Sequence, residues 1–283
     1  VRVASQDGTQ LHVESVGSGV PIVFVHEFAG DHRSWEPQLR FFSRSHRCVT
    51  FSARGYPPSD VPADPAAYGQ DRARADVIAV MDHFGIAKAH VVGHSMGAYT
   101  TLHVGLAHGD RCLSLAAIGC GWGSDPNARE AAIQSCVDNA TMFSTLPMVE
   151  AAAVYARAPM RLTFEAKDPR GFAKFERMLA EHSGPGSAAT MLNLQAKRPT
   201  LWEMETALKT LRLPVLVMVG DEDFPCLDGS LFLKRVIETA GLQVVPRAGH
   251  TLPSEEPAVV NAALATLFSE AEGGTWMRHR LPA

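Results

Sequence analysis

The stretch AHVVGHSMGAYTTLHVGLAHGD, residues 89–110, constrains the fold more tightly than any other part of the chain. A short apolar run containing Val91 and Val92 stops at Gly93-His94-Ser95-Met96-Gly97, and helical periodicity begins at once. This is the G-x-S-x-G pattern, in which a serine occupies a sharp, strained turn between strand and helix. Small residues flank the serine because the turn forces neighbouring backbone into near contact. The turn lifts the hydroxyl above a sheet and aims the N–H of Met96, with the start of a helix behind it, at an oxyanion. A turn whose serine merely caps the helix would use the same residues. What separates the two readings is whether a base and an acid follow in the right order.

The rest of the chain alternates in the same way. An amino-terminal segment, VRVASQDGTQLHVESVG, alternates apolar and polar residues about Asp7-Gly8 and predicts a hairpin. PIVFVHEF and RCVTFSARG read as strands, with a helix from Ser34 between them that places Trp35, Leu39 and Phe42 on one face. AYGQDRARADVIAVMDHFGI reads as an amphipathic helix with Val77, Ile78, Met81 and Phe84 inward. After the serine turn come RCLSLAAIGCG, LPVLVMVGDEDFP and LQVVPRAGH as strands, and SEEPAVVNAALATLFSEA as a closing helix. Such alternation implies an α/β fold, a mostly parallel twisted sheet with helices on both faces. From Ser124 to Leu211 no buried strand is legible, only helical segments divided by Pro147, Pro159, Pro169, Pro185 and Pro199. The expected organisation is a core from 1–123 and 212–283, with a helical insertion at 124–211.

A serine hydroxyl is a weak nucleophile at neutral pH and needs a histidine to take its proton and a carboxylate to orient that histidine. Among twelve histidines, His250 stands apart: it follows a strand, in AGHTLPSEEP, just before the last helix. His94, next to the serine, should point away from it. The strand end VGDEDFP offers Asp221, Glu222 and Asp223, of which Asp223 reaches furthest into the loop and lies near Pro225; Asp125 is the outside candidate. The expected catalytic set is Ser95, Asp223 and His250. The loop His26-Glu27-Phe28-Ala29-Gly30 faces the same sheet edge, so Phe28 N–H and Met96 N–H are the expected oxyanion donors, with His26 structural.

Composition narrows the partners. A formal charge of −4 with scattered Lys and Arg gives no basic face for nucleic acid. No apolar run approaches the roughly 18 residues that cross a bilayer, and the amino terminus lacks a cationic start followed by an apolar core. Five cysteines without C-x-x-C spacing suggest reduced thiols in a cytoplasmic protein, with neither disulfide framework nor zinc site. With no phosphate-cradling glycine loop before a lysine either, no cofactor and no metal are expected. Oligomeric state is not legible.

Taken together, VFVHEFAGDHRSW, SARGYPPSD, GHSMGA, VGDEDFP and AGHTLPSEEP resemble, over nearly the whole chain, the oxyanion, Arg-Gly, nucleophile, acid and histidine segments of the α/β-hydrolase superfamily. The resemblance implies that the insertion is a cap, and that a small carboxylic ester is cleaved through an acyl-enzyme. The serine sets the chain apart from the epoxide hydrolases and haloalkane dehalogenases of that superfamily, which attack with aspartate. Carbon-carbon bond hydrolases, lactonases, amidases and cofactor-free haloperoxidases resemble the same constellation, and a ligand-binding pseudo-hydrolase is the alternative of another class. Two positions depart from the family pattern. Glu27 stands where glycine is usual, which fits a carboxylate in solvent, in a salt bridge or against a polar substrate, and Arg54-Gly55-Tyr56-Pro57-Pro58-Ser59 replaces R-G-x-G-x-S. Glu27, His94, Trp122, Met142, Phe143 and Phe224 are the expected substrate contacts. Tyr155, Met160, Phe164, Met191 and Trp202 fit either pocket or packing. An arginine facing the serine would favour a carboxylate-bearing substrate; Arg157, Arg161 and Arg198 are the candidates, each expected as a solvated helix charge.

Overall fold

A computed structural model describes residues 1–277. Among these residues eight strands, β1 Arg2–Ala4, β2 Gln10–Val16, β3 Val20–Val25, β4 His46–Phe51, β5 Ala89–His94, β6 Cys112–Ile118, β7 Val215–Gly220 and β8 Ala240–Val245, form one sheet in the order β1-β2-β4-β3-β5-β6-β7-β8. The amino-terminal hairpin, β1 with β2, joins β4 antiparallel, and every later pairing is parallel. All residues of β5 and β7 are buried, which explains their unbroken apolar runs: both faces are covered.

Among the described residues twelve α-helices follow in chain order. Those of the core are α1 Glu36–Phe42, α2 Gln70–His83 and α3 Met96–Ala107. Between β6 and β7 come α4 Arg129–Thr145, α5 Met148–Ala156, α6 Leu162–Lys167, α7 Pro169–Ala180, α8 Gly184–Thr190, which runs into a π-helical turn Met191–Gln195, and α9 Glu205–Leu208. The last three are α10 Phe224–Val236, α11 Leu252–Glu255 and α12 Pro257–Glu272. One face of the sheet buries Val77 and Met81 of α2, Tyr99 and Leu102 of α3 and Leu233 of α10. The other buries Trp35 and Phe42 with Val260, Leu264, Leu267 and Phe268 of α12. The helix expected from Ser34 begins as a 3₁₀ turn, His32–Trp35, because Asp31 and Ser34 form a reciprocal capping box there. Trp276, in the tail after α12, docks on the core, its Nε1 donating to the Thr239 carbonyl at 2.8 Å; positions beyond 277 lie outside the described residues.

The helices between β6 and β7 lie over the loops at the carboxyl ends of the strands. Cys136, Ala140 and Phe143 of α4, Ala151 of α5 and Met191 and Leu194 of the π-helical turn pack against Phe28, Tyr56 and Met96. That contact covers the serine turn. No helix among the described residues is long and apolar enough to cross a membrane, and all five cysteines are free and buried.

Candidate active site

Ser95 has φ 52° and ψ −110°, the left-handed region that side chains other than glycine rarely enter. The flanking glycines are required by contact rather than by their own angles. A Cβ on Gly97 would fall 2.1 Å from the Val25 carbonyl oxygen, and one on Gly93 would fall 2.2 Å from the Gly97 carbonyl oxygen. Both obstacles are backbone, so no rotamer change relieves them. Gly97→Ala should therefore part α3 from β3 and cost about 3 kcal/mol, read as a lowered thermal midpoint; an unchanged midpoint would contradict the close approach.

The structure brings the three expected side chains together. β7 ends at Gly220 and hands over to Asp223, which precedes the first turn of α10; β8 leads into the loop that carries His250. His250 Nδ1 lies 2.8 Å from Asp223 Oδ2, and His250 Nε2 lies 2.9 Å from Ser95 Oγ. A carboxylate only accepts, so Nδ1 carries the proton and donates, leaving Nε2 to accept from the serine hydroxyl. The loop is held by His250 N–H donating to the Met160 carbonyl at 2.7 Å and Gly249 N–H donating to Glu255 Oε2 at 3.0 Å. Asp221 instead accepts from Ala248 N–H, and Asp125 accepts from Asn127 N–H at the start of the helical segment. Met96 opens α3, so its N–H belongs to the unpaired first turn, while Phe28 lies in a turn closed by Gly30 N–H donating to the Glu27 carbonyl at 3.1 Å.

A cavity of about 320 Å³ opens on this set, bordered by Phe28, Ser95 and His250 from the core and by Tyr155, Met160 and Arg161 from the helices above. Trp122 borders it as expected. The other expected contacts lie elsewhere. His94 Nε2 donates to the His250 carbonyl at 2.6 Å, so it braces the histidine loop from beneath. Met142 and Phe143 belong to the packing between α4 and the core, with Phe143 against Phe28 and Tyr155. Phe224 is 74% exposed at the start of α10, beside a different surface hollow. Its neighbour Asp223 turns inward, and adjacent residues on the first helical turn face different ways. Met191 also packs, Phe164 joins an aromatic cluster with Phe172 and Phe175, and Trp202 stacks on Phe232. Missed by the sequence reading are Ser135, Asn139 and Gln195, which add polar atoms to the cavity wall. Ser135 and Asn139 stand four apart on α4, next to buried Cys136 and Ala140, and two small polar residues on a helix's apolar face were the available signal.

Glu27 is neither solvated nor a direct wall of the cavity. It is 3% exposed and pairs with Arg161, itself 1% exposed, at 2.5 Å. Of the three arginines expected as solvated charges only Arg157 stays near the surface; Arg198 is also buried, donating to the Trp122 carbonyl at 2.8 Å and to Gln195 Oε1. Burial pushes the Glu27 carboxyl up, but Arg161, His94 and His250 around it more than offset that and hold it at about 2. Burial drives His94 and His26 down to about 4 against the pull of nearby carboxylates. His26 is structural, as expected: Ala53 N–H donates to its Nε2 at 2.9 Å, so Nδ1–H donates to the Glu27 carbonyl at 2.6 Å.

These two histidines give a pH dependence of stability. Below about 6.5 the unfolded chain binds protons that the folded chain refuses until about 4, so stability falls with pH across that window. Each contributes at most about 3 kcal/mol. The thermal midpoint should already drop between pH 6.5 and 5, before most carboxylates protonate; a flat profile there would contradict the neutral, buried assignment.

Polar side chains also meet at one surface site the sequence did not mark as a metal cluster. His12 and Glu14 share a face of β2, and His32 Nε2 lies 3.5 Å from Glu14 Oε1. Their mutual hydrogen bonding and the 2.9 Å contact of His32 Nδ1 with Ser52 Oγ account for the arrangement without an ion.

The sequence pattern of the alpha/beta hydrolase fold family matches residues 20–146. Epoxide hydrolase 2 of Siraitia grosvenorii is 33% identical over 112 residues, 39% of this chain, and the match spans only 35% of that relative's length. Likeness in three dimensions extends much further. An esterase from Thermogutta terrifontis superimposes with a TM-score of 0.82 at 24% identity, covering 96% of this chain and 98% of its own. An enol-lactonase from Burkholderia xenovorans LB400 gives 0.82 at 23% identity, covering 95% and 100%. With the parallel sheet, the strained serine between β5 and α3 and this shared architecture, the chain has the alpha/beta hydrolase fold, and its residues 20–146 carry the sequence pattern of that family.

Proposed function

We propose that the chain is a serine hydrolase that cleaves a small carboxylic ester through an acyl-enzyme. The observation that carries this reading is the pair of short contacts, 2.8 Å from Asp223 to His250 and 2.9 Å from His250 to Ser95, at the wall of a cavity. In the proposed reaction Ser95 Oγ attacks the carbonyl carbon while His250 Nε2 takes the hydroxyl proton. Asp223 stays ionised and stabilises the imidazolium. Met96 and Phe28 N–H groups receive the developing oxyanion, an interaction whose loss typically costs about 3 kcal/mol of barrier. His250 then protonates the leaving alcohol, and water repeats the sequence on the acyl-serine.

The epoxide hydrolase match does not redirect this proposal. It spans a minority of both chains, and the turn of this chain presents a hydroxyl backed by a base, the arrangement suited to acyl transfer. The helices between β6 and β7 are proposed as a cap that shapes the cavity and limits its water. Turnover of 4-nitrophenyl esters, compared with the Ser95→Ala protein, tests the reading.

A further inference from the structure

We propose that Gln195 donates a hydrogen bond to the substrate, and that the substrate is an ester with a second, uncharged carbonyl group a few bonds from the scissile one. This deepens the serine hydrolase reading and rests on it for the reaction, but not for the binding.

Gln195 borders the cavity that holds Ser95 and His250, and its amide can lie only one way round. Arg198 Nη1 donates to it, and a guanidinium cannot accept, so the atom it meets is Oε1. The amide nitrogen is left over. Nε2 bonds to no described residue, yet it is not among the polar atoms sealed from solvent, so its hydrogens open on the cavity. Asn139, on the same wall, is not fixed in this way, because its partner Ser135 can both donate and accept.

Arg198 is held in turn. It is buried, its Nη2 donates to the Trp122 carbonyl at 2.8 Å, and its guanidinium carbon lies 3.7 Å from the centre of the Tyr99 ring. A cation bound at Oε1 polarises the amide and makes Nε2–H a stronger donor. If residue 195 served only as an acceptor for Arg198, a carboxylate would do so better. Glutamine forgoes that gain and keeps a donor at the wall.

The backbone also turns this residue toward the cavity. Ala196 N–H donates to the Met191 carbonyl, five residues back, at 2.9 Å, which makes Met191–Gln195 one π-helical turn after α8. An i→i+5 turn holds one extra residue, and that rotates the helix face by about 100°. Leu194 joins the packing around Phe28, and Gln195 beside it reaches the wall. The ligand that meets Nε2 must accept. A carbonyl oxygen has two lone pairs and brings no donor of its own, whereas one amide group cannot offset the loss of water from a full negative charge.

The test compares esters with and without the second carbonyl. Methyl 4-oxopentanoate places a ketone on the acyl side and 4-oxopentyl acetate on the alcohol side. Each is measured against the analogue with C=CH2 in place of the ketone C=O, and each kcat/KM ratio is divided by the ratio of the alkaline hydrolysis rates. Gln195→Glu still accepts from Arg198 but has no donor; Gln195→Met removes both functions. In at least one pair the wild type should favour the ketone by about 10-fold or more, and both variants should bring the ratio to about one or below. If Gln195→Met, which strands Arg198 Nη1, does not fold, Gln195→Glu decides alone. A wild-type ratio near one in both pairs, with Ser95-dependent turnover intact, overturns the inference and leaves the hydrolase reading standing. So does a preference that Gln195→Glu retains. If no ester turns over, the hydrolase reading fails and the same two ketones serve as inert ligands in an NMR titration. Saturable binding that the folded Gln195→Glu protein lacks supports the site, and no binding to wild type overturns it.

Discussion

Ser95→Ala should lower kcat/KM for 4-nitrophenyl butyrate by about 10⁴- to 10⁶-fold. The hydroxyl is the atom that would become covalently bound, and His250 Nε2, its partner at 2.9 Å, has nothing else to deprotonate on the serine turn. The residual rate comes from the cavity and the oxyanion donors, which an alanine leaves in place. The fold should survive. Ser95 N–H donates to the Ile118 carbonyl at 2.8 Å, a backbone bond that alanine keeps, and the strained φ of 52° is the same for both residues. A cooperative melt near that of the wild type, together with the lost turnover, is the expected result. A fall of less than about 100-fold would mean that another group performs the attack.

Asp223→Asn should cost about 10⁴-fold in kcat/KM without moving the backbone. Asp223 can only accept, which forces the proton of His250 onto Nδ1 and leaves Nε2 free for the Ser95 hydroxyl. An asparagine can turn its amide toward Nδ1 and donate. The histidine then holds its proton on Nε2, facing the serine with a donor where an acceptor is needed. Little resists that rotation, since Asp223 Oδ1 has no hydrogen-bond partner. The amide is nearly isosteric, so the thermal midpoint should change far less than the rate. Activity within about tenfold of wild type would show that the carboxylate does not set the tautomer.

What the sequence made legible follows from how locally each feature is determined. The serine turn can be read because backbone contact at Gly93 and Gly97 excludes every side chain there, whatever the rest of the molecule does. Asp223 and His250 were legible through position. Parallel strands end at one edge, so the residues that follow β7 and β8 must gather near the one that follows β5. The face alternation of β2 and the unbroken runs of β5 and β7 likewise register burial directly.

The cavity wall was harder because helices over a sheet edge pack through side chains whose register no local rule sets. Phe143 and Met191 are large and apolar, as pocket residues often are, yet they seal α4 and the π-helical turn onto Phe28 and Met96. Arg161 and Glu27 are 134 positions apart, and neither residue's neighbourhood signals a buried partner. A lone arginine on a short helical turn looks solvated until the acid that meets it is placed. Phe224 shows the converse error: proximity to Asp223 in sequence put it near the site, but the turn into α10 sends it outward.

The central claim is that Ser95 is the nucleophile, and a fluorophosphonate ester tests it most directly because it reacts with an activated serine irrespective of the natural substrate. After incubation, intact mass and peptide mapping should find one adduct, on Ser95 within the GHSMGAY segment, absent in Ser95→Ala and strongly slowed in Asp223→Asn. An unlabelled but folded wild-type protein, or an adduct on any other residue, would contradict the account.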